Sequence, residues 1–159
     1  MKRKILSIIA AAVMALALTA CGGAAKQVDL KEAYRQGMET ILATGMEEPI
    51  MLEVTDIDHI SAFYTGIEKM ELKQLVVYMP PVDGFACEVA MAEAKNAEDA
   101  AALAKLFQKR VDIGKESNMY PETTKMWQSN AKVSVNGNYV VMAVLPDGYE
   151  LPDQFLAKF

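Results

Sequence analysis

The chain has 159 residues, 52% of them hydrophobic, and a formal net charge of −5. That length suits one domain with a core of its own. The acidic balance disfavours nucleic acid as a partner, because no basic patch is present to neutralise phosphates, and it opposes a folded surface lying flat on anionic lipid.

The chain opens on Lys2, Arg3 and Lys4, followed by an apolar stretch from Ile5 to Leu18 broken only by Ser7. This is the layout of a secretory signal, and it is too short for a comfortable transmembrane span. The stretch ends in Leu18-Thr19-Ala20-Cys21, which resembles the lipobox of bacterial lipoproteins. The resemblance implies a defined chemistry. The Cys21 thiol takes a diacylglyceryl group, cleavage before Cys21 removes residues 1–20, and the new amino terminus is a further site of acylation. Two or more acyl chains, at ~0.8 kcal/mol per buried methylene, make such an anchor effectively permanent. The mature chain would then carry 13 basic and 21 acidic residues, a net charge of −8. Its first partner would be the membrane, reached through lipidated Cys21, and its location the extracytoplasmic face of the cell membrane. Cys87 would be left without a disulfide partner.

Residues 21–28 read as the lipidated cysteine and a small-residue tether, and residues 29–159 as a single domain. Gly22 to Gln27 is six residues, with a reach of about 20 Å when extended. The spacing of Leu30, Ala33, Tyr34, Met38, Ile41 and Leu42 predicts a helix over 29–43. Met46 to Val54 reads as a connector containing Pro49. Thr55 and Asp58 fit a capping box that opens a short helix through Ile60 and Tyr64. A strand is expected over 72–79, ended by Pro80 and Pro81, and another over 85–94.

Asn96 suits the N-cap of the next helix, whose stripe is Ala100, Leu103, Phe107 and Val111. Pro121 suits the first position of a short helix ending near Trp127. The last two strands are expected over 131–135 and 138–145, joined by Asn136-Gly137 as a two-residue type I′ turn. The second of them is apolar without alternation, which argues for a strand covered on both faces. A closing helix is expected over 151–159. The fold class is therefore α+β: an antiparallel four-stranded sheet with helices packed on it, in the order α-α-β-β-α-β-β-α.

No catalytic, cofactor-binding or metal-ligating residue is expected. His59 is the only histidine, and Asp56-Ile57-Asp58-His59 lacks the Gly and Glu that an EF-hand loop needs after it. Helix capping explains those residues better than a metal does. Cys87 sits between Phe85, Val89 and Met91 on the bulky face of its strand, so core packing is favoured over a nucleophile. The methionines, Met79, Met91 and Met142 among them, read as core filling.

One face is less ordinary. Ala86, Glu88, Ala90 and Ala92 alternate with the bulky set, and small side chains let something approach the sheet closely. The bulky set is expected to face the main core, which leaves Glu88, Ala90 and Ala92 as a tentative binding face, either an open groove or a seat for the first helix.

Phe63-Tyr64-Thr65-Gly66-Ile67, the 85–94 strand with Glu88, Tyr120-Pro121-Glu122 and Asn136-Gly137-Asn138-Tyr139-Val140 together resemble a family of uncharacterised bacterial lipoproteins known as domain of unknown function 4358. The resemblance implies a lipid-anchored extracytoplasmic domain, and it brings no catalytic residues. The expectation is a binding or adaptor module at the cell envelope, not an enzyme, whose partner is an envelope protein or a small ligand. The alternatives are a structural or assembly subunit of a membrane complex and, behind that, an enzyme.

Overall fold

Runs of Val, Met and Ala between residues 72 and 144 leave little polar surface on either side of the strands they form, so helices must cover both faces. The computed structural model describes residues 27–82, 86–117 and 120–149. Cys21, the signal segment and the helix expected over 151–159 lie outside them. Within the described residues the elements run α1 (Leu30–Leu42), β1 (Leu52–Val54), α2 (Ile57–Phe63), a 3-10 turn (Ile67–Lys69), β2 (Leu72–Met79), β3 (Glu88–Ala94), α3 (Ala97–Glu116), α4 (Pro121–Asn130), β4 (Lys132–Asn136) and β5 (Tyr139–Val144).

The strands form one antiparallel sheet in the order β1-β2-β3-β5-β4. The sheet has five strands rather than four. The extra strand is β1, which lies in the stretch read as a connector and pairs Leu52 with Met79 and Val54 with Val77. Three residues are too few to show a period of two. All of β3 and β5 is buried, as expected for the apolar run after Asn138.

Helices cover both faces. On one, Leu30, Ala33, Met38 and Ile41 of α1 pack on Val76, Val89, Met91 and Val141. On the other, Leu103, Phe107 and Val111 of α3, with Ile60, Tyr64 and Trp127, pack on Ala90, Ala92, Val140 and Met142. This reverses the expected seating. The first helix lies on the bulky face, and the alanine face takes α3. Size complementarity accounts for it: the short alanines leave depth for Leu103 and Phe107, each contributing about 1.5–3 kcal/mol on full burial.

Asp29 caps α1 by accepting from the backbone N–H of Lys31 and Glu32 at 3.0 and 3.1 Å. Asn96 caps α3 through the Asp99 N–H at 2.9 Å. The cap of α2 is Asp56, one residue after the expected Thr55, and it accepts from Asp58 and His59.

The last hairpin also shifts by one. Asn136 pairs with Tyr139, so the two turn residues are Gly137 and Asn138. Gly137 has φ +56° and no other residue of the turn has positive φ, the pattern of a type II′ turn with glycine first. Asn138 is tied to the sheet through its carbonyl, which accepts from the Ala94 N–H at 2.8 Å. A β-branched side chain at Gly137 would be strained, although the space there is open. Gly137→Val should therefore lower the stability of the domain by about 1–3 kcal/mol. An unchanged midpoint in a urea melt would contradict the turn.

Candidate functional site

Glu88 is the first residue of β3 and lies on the alanine face, under α3. Its side chain is 3% exposed. The Arg110 guanidinium, three turns along α3, donates to both carboxylate oxygens, from Nη2 at 2.6 Å and from Nε at 3.0 Å. The Tyr64 hydroxyl, at the C-terminal end of α2, donates to the same carboxylate. Phe63 and Trp127 flank the guanidinium, with their ring centroids 5.3 and 4.6 Å from its central carbon. Burial opposes the charge on Arg110, but the Glu88 carboxylate outweighs it and the guanidinium pKa is raised. Four elements thus meet at one buried ion pair: β3, α2, α3 and α4.

Burial first, and the Glu88 charge second, hold the Tyr64 hydroxyl well above the usual tyrosine range. A folded-state pKa raised in this way stabilises the fold fully below the unfolded value of about 10, and the contribution is lost as pH rises through the folded value. Stability measured in urea should fall as pH rises from about 10 toward the folded value, and Tyr64→Phe, with no proton to lose, should flatten the fall. An identical slope in the variant would remove Tyr64 from this account.

The binding face expected at Glu88, Ala90 and Ala92 is closed. Ala90 and Ala92 are fully buried, Ala86 is 5% exposed, and residues of this same chain cover them. The groove is filled because α3 supplies Leu103 and Phe107 at the depth the alanines leave. Cys87, expected in the core, is a half-buried free thiol beside the α1 cluster, and burial pushes its pKa up. His59 is exposed on α2, with its ring tilted against Phe63.

A second buried carboxylate, Glu93, lies on the opposite face. Lys73 and Gln74 reach it at 3.1 and 2.8 Å, and Lys73 is the extra residue where the β2–β3 register shifts. The Gln74 amide also donates to the Val28 carbonyl at 2.7 Å and accepts from the Leu30 N–H at 3.0 Å. The Tyr139 hydroxyl accepts from the Val28 N–H at 3.2 Å. This clamp pins the chain to the sheet just after the tether. Sequence reasoning passed over it, and its one signal was a lone amide in strand phase with Val76 and Tyr78.

Beside α1, Tyr34 and Tyr78 stack with ring centroids 3.9 Å apart and planes 12° apart. They line an open cleft of about 580 Å³.

The class these features define is an α+β domain with an antiparallel sheet between helical layers, braced by two buried, fully engaged carboxylates. More particularly, the chain belongs to the family described as domain of unknown function 4358, whose model matches residues 44–145. The match takes in the whole sheet and the Glu88–Arg110–Tyr64 brace, and begins after α1. No curated protein and no solved structure matches the chain. Among the described residues, no helix is long and apolar enough to cross a membrane.

Proposed function

We propose that this protein is a lipid-anchored extracytoplasmic domain that serves as a binding or adaptor module at the cell envelope, without an enzymatic reaction of its own. The observation that carries the reading is the lipobox Leu18-Thr19-Ala20-Cys21 behind a basic and apolar start. Two features are consistent with it. The tether of residues 22–27 leads directly into the clamp at Val28, which would hold the domain within about 20 Å of the bilayer. Glu88 and Glu93 are both occupied by cations and hydrogen-bond donors within the fold, so the recognition surface is expected outside the core.

A specific observation favours the second reading, an assembly subunit of a membrane complex. Ile50, Leu52 and Val82, at the β1 edge and beyond the end of β2, are 68%, 59% and 56% exposed. Such residues suit a protein contact. Crosslinking on intact cells followed by mass spectrometry tests both readings. A discrete partner whose recovery fails in Leu52→Asp supports the assembly role. A partner or ligand retained in that variant supports the adaptor. Recovery of the chain only from the cytoplasm would overturn the envelope reading.

A further inference from the structure

The cleft beside α1 has a chemistry of its own. Its aromatic wall is the stacked Tyr34–Tyr78 pair, and Met38 and Leu42 add apolar surface. The cations on its rim are already committed. Lys31 pairs with Glu53, and Arg35 pairs with Glu32 and Glu39 along the helix. Three polar groups on residues of its lining remain available. Neither the Tyr34 nor the Tyr78 hydroxyl has a hydrogen-bond partner among the described residues, and the exposed Glu48 carboxylate has no ion pair among them. Both hydroxyls are protonated at neutral pH, as any tyrosine is, and burial pushes their pKa values further up. The lining as a whole holds four carboxylates against two cations, so it repels anions. Its volume is within the range of about 300–1,000 Å³ usual for small-molecule sites.

The geometry points to this cleft as a binding site for a small primary ammonium compound with an apolar body, its cation held by the Glu48 carboxylate and the two tyrosine oxygens and its body lying against the Tyr34–Tyr78 stack. A cation between a carboxylate that lacks an ion pair and two phenolic oxygens gains charge-assisted hydrogen bonds. The negative charge of the whole chain would raise the local concentration of such a ligand.

The inference rests on the binding-module reading above. Its test is a charge series of one shape, butylammonium, butanol and butyrate, titrated into the full chain in neutral detergent while the tyrosine ring signals are followed by NMR. Butylammonium should shift the Tyr34 and Tyr78 signals saturably, and butyrate should not. Glu48→Gln, at an exposed position that leaves the fold intact, should weaken butylammonium at least fivefold, and Tyr34→Phe, which keeps the stack, at least twofold. Equal responses to butylammonium and butanol, no saturation, or undiminished binding in Glu48→Gln would overturn the site. If the titration fails while crosslinks on cells persist, only the cleft is refuted; the module reading falls when both fail or when the chain is recovered only from the cytoplasm.

Discussion

Arg110→Met should cost the domain about 3–5 kcal/mol, because it leaves the Glu88 carboxylate buried without its cation. Glu88 then keeps only the Tyr64 hydroxyl, in a place where its side chain is 3% exposed. The pair itself need not add much net stability, since removing both charges from water offsets much of their attraction. The double variant Arg110→Met with Glu88→Leu should therefore recover most of the loss. Arg110→Lys should fall between, as it keeps a charge but loses the planar fork that reaches both oxygens. Urea melts of the four proteins at neutral pH read this directly. A loss below about 1 kcal/mol in Arg110→Met would mean that the brace is not closed as described.

Gly114→Ala should also destabilise, against the usual direction of a glycine-to-alanine change within a helix. Helix propensity alone would favour alanine by about 1 kcal/mol. At this position a Cβ would stand 2.3 Å from Cδ2 and 2.4 Å from Cε3 of Trp127, inside any real contact. The ring cannot easily give way, because it is 4% exposed and stacks against Arg110. The overpacking cost of about 1–3 kcal/mol should exceed the propensity gain, and Gly114→Leu should cost more. Trp127 is the sole tryptophan, so its emission reports the event: a red shift should accompany the loss of stability. Gly114→Ala with higher stability and unchanged emission would contradict the α3–α4 contact.

The residues explain what could be read in advance. β2 and α1 were legible because their apolar residues recur over eight and thirteen positions. β1 was not, because Leu52–Val54 has too few residues to repeat a two-residue alternation and is fixed only by pairing with β2. The hairpin was legible from Asn136-Gly137, but its register was not. Asn-Gly suits a type I′ turn and Gly-Asn a type II′ turn, and the pairing of Asn136 with Tyr139 decides between them. At the site, strand alternation placed Glu88 with the alanines. The alternation left that face as an open groove or a seat for the first helix, and the helix that fills it is α3, whose Leu103 and Phe107 fit the depth the alanines leave. The partners Arg110, Tyr64 and Trp127 come from separate elements, and no local spacing links them to Glu88.

The measurement that bears most directly on the proposed role is the intact mass of the chain recovered from the membrane fraction of cells that make it. The account predicts a chain that begins at Cys21, lacks residues 1–20 and carries the mass of a diacylglyceryl group, with or without a further acyl chain. Replacement of Cys21 by alanine should remove that mass and release the protein from the membrane. A chain that still begins at Met1, or an unmodified Cys21 in a fully soluble protein, would contradict it.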